Sequence, residues 1–534
     1  YGTTHKYDIQ NRRISSTDAN GHTTYYYYND DNKLTYVVNS LGEVTQTEYN
    51  AFGQAESIIA YNGRVNMVSL APEGGSENAT LINHIASIKD DAKDSKTLMA
   101  FDHNGRVISR TDAEGYNTQY TYDALGNKIA ETQDSDKLGN TVTNYTQYDK
   151  LGRAIAVVAD AGVGGVAATV TTEYDAFGRA VKTTDVQGNV TTTEYNDSEV
   201  IVWDGLNNSS KVTYDAFGRV LTQTDALGQV TTFDYNEDER ITTIESPEGV
   251  TVSTTANRHG QKVEVVDGNG ERTSYSYTVN GQLETTTRHR DIGDDIVVEH
   301  NDYDNAGLLT DTFNTNDTRI HYEYDAANRV LMRVEDADGL MVTTQFEYDG
   351  QGNKVTITDA QNVKTHFEYD RRGISVSEIS DYEGQNITSL IETDAFGNTT
   401  KVTLLDENQN TINEVEYSFD NLGRRTSEVL NPTKDALKKE YYYNDAGQLI
   451  MATDANGNNG RYVYDANGRQ ILTIDAEGAV VETKYDALGR VVETISYAGN
   501  INIVNLDAYV GYEQIMSMLE LSEDIHNWFV YDND

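Results

Sequence analysis

The chain has 534 residues, and its 41 Lys and Arg stand against 86 Asp and Glu, which gives a formal net charge of −45. Such an acidic chain lacks the basic groups that release counterions from a phosphate backbone, so we expect no nucleic acid partner and no insertion into an anionic membrane. The absence of cysteine excludes disulfides, thiolate metal ligands and cysteine nucleophiles. The 37 Tyr, 42 Gly and 3 Pro favour β-strands joined by tight turns.

A motif of the form Tyr-Asp-x-x-Gly-Arg recurs along nearly the whole chain. Its aromatic positions are most often 21 residues apart, as Tyr464 and Tyr485 are, and such self-similarity indicates a repeat architecture. Weaker copies begin at Tyr28, Phe101, Tyr303, Phe419 and Tyr443, and in two degenerate copies Ala256 and Thr393 replace the ring. The residues assigned to the motif as structural positions are Tyr122, Asp123, Gly126, Tyr148, Asp149, Gly152, Arg153, Tyr174, Asp175, Gly178, Arg179, Tyr214, Asp215, Gly218, Arg219, Tyr324, Asp325, Arg329, Tyr464, Asp465, Gly468, Arg469, Tyr485, Asp486, Gly489 and Arg490.

One repeat resolves into two strands and two turns. Residues 219–240 contain the alternating run RVLTQT, the turn DALGQ with Gly228, the return strand VTTFDY and a closing turn NEDER. In the motif itself, Tyr ends a strand, Asp accepts hydrogen bonds from turn amides, and Gly takes a left-handed conformation. The following Arg is expected to lie over a neighbouring ring. We therefore interpret the motif as structural and not as a ligand site.

The repeated YDxxGR pattern resembles the YD repeats of Rhs proteins, teneurins and the shell-forming components of insecticidal toxin complexes. This resemblance implies an all-β fold: a long antiparallel β-hairpin strip that spirals into a hollow YD-repeat shell, the β-cocoon. Some forty strands at about 4.8 Å spacing form a strip too long to stay flat, which favours the same fold independently. In toxin members, the resemblance implies, the shell holds a C-terminal toxin that aspartyl self-cleavage releases.

The chain departs from the toxin members at the cleavage region. The run rich in DPxG and NNP is absent, since the prolines are Pro72, Pro247 and Pro432, none of them in such a context. Self-cleavage within this chain is therefore not expected. The chain also resembles YD-repeat blocks of very large secreted bacterial adhesins of the RTX type, although it has no GGxGxD run. We expect it to be an excerpt of a giant secreted bacterial YD-repeat protein.

Two stretches interrupt the repeats, and each is predicted to contain a short helix. In the first insert, residues 58–99, Ser76 is expected to cap a helix that buries Leu81, Ile85 and Ile88. In the second insert, residues 495–529, Asp507 is expected to cap a helix. Its inward residues are expected to be Ile515, Met518 and Leu519.

The two inserts begin alike. Tyr61 and Tyr497 are 436 residues apart, as are Leu70 and Leu506, which indicates a duplicated unit. Either each insert closes or joins shells in a protein with several such units, or each is a decorated loop that packs a helix on the sheet. The predicted domains are 1–57 with YD repeats, 58–99 as helical insert, 100–494 as YD-repeat shell, 495–529 as helical insert and 530–534 as the start of the next repeat.

No catalytic constellation stands out, and the chain is predicted not to be an enzyme. The 10 His are scattered. Acidic turns at 267–271, 336–339 and 454–460 leave calcium as a remote option, but none completes an EF-hand loop, so no cofactor is expected. Trp203 and Trp528 are interpreted as packing residues, Trp528 beneath the insert helix, with a role as sugar platforms as the alternative.

Together these features predict a non-catalytic structural shell or scaffold module of a large secreted or cell-surface bacterial protein. Its expected partners are other parts of the same long chain and an encapsulated polypeptide such as a toxin. The alternative is a carbohydrate- or cell-binding adhesion module that recognises a host glycan.

Overall fold

The structure is a computed structural model that describes residues 2–160, 165–290, 292–434, 436–503, 506–519 and 524–531. Strands dominate it, and three short helices interrupt them: α1 (Met67–Leu70), α2 (Ala79–Ile88) and α3 (Tyr512–Met516). Strands β1 to β44 are, in chain order, Thr4–Tyr7, Arg13–Thr17, Thr23–Tyr28, Leu34–Val38, Glu43–Tyr49, Ala55–Arg64, Gly75–Ser76, Ser95–Phe101, Val107–Thr111, Asn117–Tyr122, Lys128–Asp134, Thr141–Tyr148, Ala154–Ala159, Ala168–Tyr174, Ala180–Thr184, Val190–Asn196, Glu199–Trp203, Ser209–Tyr214, Val220–Thr224, Val230–Asn236, Ile241–Glu245, Thr251–Ala256, Lys262–Val266, Arg272–Tyr277, Leu283–Arg288, Ile296–Tyr303, Leu309–Asn314, Arg319–Tyr324, Val330–Glu335, Val342–Tyr348, Lys354–Thr358, Lys364–Tyr369, Ser375–Tyr382, Ile387–Thr393, Thr399–Leu405, Thr411–Phe419, Arg425–Leu430, Leu437–Tyr443, Leu449–Thr453, Asn459–Tyr464, Gln470–Ile474, Val480–Tyr485, Val491–Ser496 and Ile525–Trp528.

In the described part of the chain, 44 strands form one long sheet in which nearly every strand pairs antiparallel with its neighbours in sequence. The exception is the two-residue β7, which runs parallel to the end of β3. Where a strand ends in the motif ring the register shifts by one residue, as between Glu173 and Tyr174. Such a bulge accompanies a three-residue hairpin loop with glycine in the left-handed region. The predicted all-β hairpin strip with short helical inserts is confirmed.

The chain forms two compact units, each assembled from an early and a late part of the sequence. Unit 1 contains residues 1–120, 133–140 and 271–413, and unit 2 contains residues 121–132, 141–270 and 414–534. Each unit holds one of the two inserts, and each insert covers part of one sheet face with apolar side chains. Among the described residues, each unit therefore has one cluster of buried apolar side chains.

In unit 1 the core lies between strands β3 to β6 and the insert. From the sheet it takes the side chains of Tyr27, Val38 and Val44, and from helix α2 those of Leu81 and Ile85, all of them buried. Ile88 packs against the same cluster while partly exposed. The predicted apolar face of this helix is confirmed.

In unit 2 an equivalent core lies between strands β40 to β42 and the second insert. Leu472 and Ile474 from the sheet and Ile515 from helix α3 are fully buried, and Leu519 packs beside them. Met518 packs against the cluster while partly exposed. The prediction is therefore confirmed for Ile515, whereas Met518 and Leu519 pack inward from the segment after the helix, which ends at Met516.

The two inserts form equivalent hydrogen bonds. The amide of Val65 donates to the carbonyl of Gly42, and 436 residues later the amide of Ile501 donates to the carbonyl of Gly478, both at 2.8 Å. A second equivalent hydrogen bond joins the two ends of each insert. The carboxylate of Asp94 accepts the backbone amide of residue 62, and the carboxylate of Asp524 accepts that of residue 498. These pairs are 32 and 26 residues apart, so the second insert makes the same closure with six residues fewer.

Three details of the inserts differ from the sequence prediction. Ser76 does not cap α2, because it belongs to β7 beside β3, and Asn78 caps the helix by accepting from the amide of Leu81 at 2.9 Å. Asp507 does not cap α3, which starts after Gly511 without a side-chain cap. Trp528 does not lie beneath the helix: it sits on β44, 71% exposed, and stacks on His526.

Within the described residues, no helix has the length and apolar character needed to span a membrane.

Candidate functional site

Each Tyr-Asp-x-x-Gly-Arg motif forms a tight hairpin turn, called the YD turn here, that is closed by its aspartate. In the turn of residues 174–179, one carboxylate oxygen of Asp175 accepts the amides of Phe177 and Arg179, both at 2.9 Å. The other oxygen accepts Nε of Arg179 at 2.7 Å. Gly178 has a φ of 85°, in the region that L side chains avoid. The carboxylate is thus fully engaged by its own turn.

Each YD turn is also tied to the next one along the edge of the sheet. The guanidinium of Arg469 lies 4.7 Å from the ring centre of Tyr485, and its Nη1 donates to the carbonyl of Asp486 at 3.0 Å. In return the hydroxyl of Tyr485 donates to the carbonyl of Gln470 at 2.7 Å. The same pairing of Arg over the following ring recurs at Arg12, Arg153, Arg179, Arg219, Arg329, Arg424 and Arg490.

Removing one motif hydroxyl is expected to cost about 1 kcal/mol of local stability, the usual net value of a hydrogen bond. Tyr485→Phe loses only the bond to Gln470, whereas Tyr485→Leu also loses the ring under Arg469 and is expected to lose more. Hydrogen exchange of the amides in β41 and β42 measures both variants. Equal losses in the two variants would contradict the separate role of the hydroxyl.

Three turn carboxylates, those of Asp123, Asp149 and Asp454, have pKa values below the usual range because they accept several hydrogen bonds. For Asp149 the main cause is the side chain of Arg153, followed by its backbone amide. For Asp123 and Asp454 the main cause is an asparagine side chain in the position after the glycine. A depressed pKa in the folded state means that these groups stabilise the fold above their unfolded pKa of about 3.9. That contribution is lost as the pH falls through the folded value.

A pH series tests this linkage. Wild type is expected to be more stable than the variant with Asn at positions 123, 149 and 454 at pH 7, and the difference is expected to shrink below about pH 4 as the aspartates become protonated. The midpoint of urea unfolding at several pH values measures it. A difference that stayed constant down to pH 2 would show that the carboxylate charges do not matter.

The opposite edge of the sheet carries a second kind of turn with the same aspartate chemistry, called the mid-repeat turn here. In residues 225–229, Asp225 accepts the amides of Leu227 and Gln229, each at 2.9 Å. Gly228 has a φ of 82°, as the sequence analysis predicted. Because successive turns alternate between the two edges, one edge carries the YD turns and the other the mid-repeat turns.

In unit 1 the two edges meet through hydrogen bonds and ion pairs between residues far apart in sequence, called seam contacts here. Nε of Arg371, in a YD turn, lies 3.0 Å from Oε1 of Glu114, in a mid-repeat turn. Burial alone would raise the pKa of Glu114, but the hydrogen bonds from Arg371 outweigh it and hold the pKa below its usual value. A second ion pair joins Arg329 to Glu43 at 2.7 Å. Further seam contacts join Asn20 to Asp304, Ser40 to Ala326 and Asn62 to Gly350.

Unit 2 has its own seam contacts of the same kind. Nδ2 of Asn467, in a YD turn, donates to Asp204, in a mid-repeat turn, at 2.6 Å. Nδ2 of Asn421 donates in the same way to Asp160 at 3.1 Å. A further contact joins Gln187 to Gln448.

The seam contacts recur at a constant distance along the strip. The strands β10 to β32 separate Glu114 from Arg371, and the strands β18 to β40 separate Asp204 from Asn467, which is 23 strands along the chain for each contact. Successive turns alternate between the two edges of the sheet, so a YD turn and a mid-repeat turn are always separated by an odd number of strands. The recurrence therefore reflects one regular path of the strip and not a set of chance contacts.

The structure places every predicted motif tyrosine at or near a strand end and every predicted motif aspartate in the turn after it. Two copies vary the motif. In the turn of Asp123, Asn127 stands where other copies have arginine. In the turn of Asp325, Asn328 stands where other copies have glycine and has a left-handed φ of 66°. The sequence analysis missed the tyrosine hydroxyl bonds and the seam contacts. The glycine at position 350 was one signal for a seam contact in the sequence. Any other residue there would place a Cβ 2.2 Å from the carbonyl oxygen of Asn62.

Buried polar groups lie under the second insert. Arg461 is 3% exposed and donates to the carbonyls of Leu506 and Asp507. Glu482, also buried, accepts the hydroxyls of Tyr497 and Tyr512 at 2.6 and 2.8 Å. Burial, and then the bond to Glu482, raises the pKa of Tyr512 to about 12. These groups hold the insert to the sheet.

The acidic turns considered for calcium use their carboxylates within the turn. Asp454, for example, accepts the amides of Asn456 and Asn458. Among the described residues no group of three or more His, Asp or Glu side chains lies close enough to hold a metal ion. A pocket of about 340 Å³ in unit 2 lies at a seam, beside Asp204 and Asn467, which bond to each other.

Comparisons with known proteins agree with this geometry. The RHS Repeat family model matches residues 101–137, 214–251, 443–480 and 464–500, and the Teneurin YD-shell model matches residues 271–376. No curated protein matches the chain.

Solved structures share the fold at low sequence identity. The crystal structure of TcdB2-TccC3 matches with 14% identity and a TM-score of 0.58 over 92% of this chain and 32% of that chain. The Photorhabdus luminescens Tc holotoxin pore matches with 14% identity and a TM-score of 0.61 over 92% of this chain and 29% of that chain. TcdB2-TccC3-Cdc42 matches with 13% identity and a TM-score of 0.56 over 99% of this chain and 34% of that chain. This chain therefore spans about a third of the length of the chains it matches.

Repeats, turns and fold together define a YD-repeat protein with the fold of the YD shell. The chain contains RHS repeats and a teneurin-type YD-shell segment, and the resemblance stated from the motif is confirmed.

Proposed function

We propose that this chain is a non-catalytic shell module of a large secreted or cell-surface bacterial protein, and that it encloses a polypeptide cargo. The observation that carries the proposal is that the seam contacts of both units join turns 23 strands apart along the chain. A strip joined edge to edge in this way forms a continuous wall, and a wall built from a curved sheet can enclose a volume.

The chemistry of the turns supports a structural role. The aspartates are held by amides and arginines of their own turns, as Asp175 is, so their carboxylates are not available as acids or bases. One of the structures with the same fold is a Tc holotoxin pore. An enclosed toxin or other polypeptide is therefore the cargo proposed here.

The alternative of an adhesion module has little support. In the second insert, Tyr497 packs against the core and donates to Glu482. Trp528, one of the two tryptophans considered as sugar platforms, is exposed but stacks on His526. We therefore favour the shell.

Single-particle electron microscopy of the 534-residue chain tests the proposal. We expect a wall one sheet thick that surrounds a cavity. Arg371→Glu places two like charges at the seam with Glu114 and is expected to open the wall, and the double variant Arg371→Glu with Glu114→Arg is expected to close it again. A ribbon without an enclosed volume in the wild type would overturn the proposal.

A further inference from the structure

Three side chains of unit 1, on strand β24 and on the loop between β25 and β26, form a serine–histidine–aspartate network. The hydroxyl oxygen of Ser274 lies 2.8 Å from Nε2 of His289. On the other side of the ring, Nδ1 of His289 lies 2.7 Å from Oδ2 of Asp295. A nucleophile within hydrogen-bond reach of a base, with a third group that orients the base, is the arrangement that activates a serine for attack on a carbonyl carbon.

The hydrogen bonds fix the direction in which a proton can move. An ionised carboxylate only accepts, so Nδ1 of His289 carries the ring proton and donates to Asp295, and Nε2 accepts the hydroxyl of Ser274. The bond from His289, and then the amide of Arg290, lower the pKa of Asp295, which keeps it ionised near neutral pH. The free lone pair of the ring is therefore directed at the serine.

The backbone brings the three groups together. The amide of His289 donates to the carbonyl of Arg272 at 2.8 Å, which holds the end of β25 against β24 two residues before Ser274. The network is also open to solvent. Ser274 is partly exposed, and the side chains of His289 and Asp295 are 22% and 48% exposed. A small acyl donor can therefore reach the serine.

A second serine–histidine pair in unit 1 lacks the carboxylate. The hydroxyl oxygen of Ser69 lies 2.9 Å from Nε2 of His84, but Nδ1 of His84 donates to the carbonyl of Thr80 at 2.8 Å. A carbonyl orients the ring, yet it offers no negative charge to stabilise the imidazolium that forms when the ring takes a proton. Ser69 is exposed, so the pair is an internal reference for the contribution of Asp295.

Rapid turnover needs donors for the oxyanion as well as a nucleophile and a base. Ser274 lies within β24, which is hydrogen-bonded to β23 on one side and to β25 on the other. The ladders engage the amides of such a strand, whereas an oxyanion hole requires amides that point at the substrate. An acyl group transferred to Ser274 is therefore expected to stay there as a modification.

We propose that Ser274 is an acylation site, activated by His289 and Asp295, that takes an acyl group from an ester or thioester. Oγ bonds to the carbonyl carbon while Nε2 of His289 takes the hydroxyl proton. The bond from that carbon to the leaving oxygen or sulfur then breaks, and His289 returns the proton to the leaving group. The inference does not depend on the proposed shell, because a chain acylated once is modified and is not a catalyst.

Acetylation of the 534-residue chain by p-nitrophenyl acetate, followed residue by residue with peptide mass spectrometry, tests the proposal. We expect Ser274 to react about tenfold faster than Ser69 or more. His289→Gln is expected to slow acetylation of Ser274 about 100-fold, the lower end of the usual effect of a positioned base. Asp295→Asn is expected to slow it about tenfold, because the base loses its ionised partner.

The matched control is His321→Gln. His321 bonds to Asp311 at 2.8 Å on the strands β27 and β28, so it has the carboxylate without the serine, and its loss is expected to leave the rate at Ser274 unchanged. The urea midpoint of each variant shows whether the fold is kept.

Three results would overturn the acylation site. One is a Ser274 that reacts no faster than Ser69. Another is a rate that His289→Gln leaves unchanged, which would reduce the network to a tie that holds the loop. The third is an acetyl group lost from Ser274 as fast as it is gained, which would contradict a lasting modification.

Discussion

Gly478→Ala is expected to destabilise the second insert by about 3 kcal/mol. The substitution meets two separate costs. A left-handed φ, here 85°, costs an L residue about 1 kcal/mol. The added Cβ would also lie 2.1 Å from the carbonyl oxygen of Ile501, and relief of such an overlap costs about 1–3 kcal/mol. The shift that relieves it would strain the bond from the Ile501 amide to the Gly478 carbonyl.

Gly228→Ala is the matched control. Gly228 has nearly the same φ, 82°, in the same kind of mid-repeat turn, but no atom lies within 4 Å of the position of its added Cβ. Only the conformational cost of about 1 kcal/mol is expected there. Hydrogen exchange of the amides in β41 to β43 measures the first variant, and that of β19 and β20 measures the control. Equal losses of stability at the two sites would mean that the insert moves away from the added Cβ at position 478 without cost.

Leu472→Ala is expected to cost about 3 kcal/mol, the usual range for a buried leucine that leaves a cavity. Leu472 is fully buried between the sheet and the residues of the second insert, such as Ile515. The surrounding groups come from three strands and a helix, so the site cannot collapse easily around the missing atoms.

Leu221→Ala, on the sheet away from the inserts, is expected to cost no more than about 1 kcal/mol, because Leu221 is 40% exposed in the folded chain. Urea unfolding followed by tryptophan fluorescence and hydrogen exchange measures both variants. A loss at Leu221 as large as that at Leu472 would show that the thin sheet has a core of its own, and that the inserts are not the main apolar anchors.

Cores of this kind explain why the inserts matter to a thin sheet. Most strand residues are half-exposed, so burial of apolar surface along the strip is modest, and hydrogen bonds within the turns and between them carry much of the specificity. The two inserts add compact apolar clusters at positions 436 residues apart, such as Tyr61 and Tyr497. This arrangement fits either an insert that closes or joins shells or a decorated loop that packs a helix on the sheet, the two options that the sequence leaves open.

The sequence by itself determined the repeat, the strands and both kinds of turn. The Asp-x-x-Gly pattern can be read without tertiary knowledge because its carboxylate binds amides only two and four residues away, as Asp225 binds those of Leu227 and Gln229. The apolar faces of the insert helices were also predictable, since helical periodicity placed Leu81 and Ile85 on one side.

Only the tertiary structure decided which distant turns meet. The seam between Arg371 and Glu114 depends on the number of strands between the two turns, and no local pattern encodes that number. The same reason accounts for the errors at the inserts. Ser76 is a good capping residue by type, but the chain there pairs with β3, and Trp528 is apolar enough for a core but lies on an edge strand. Local chemistry determines the turns and strands, whereas long-range packing determines which distant turns pair and which side chains are exposed.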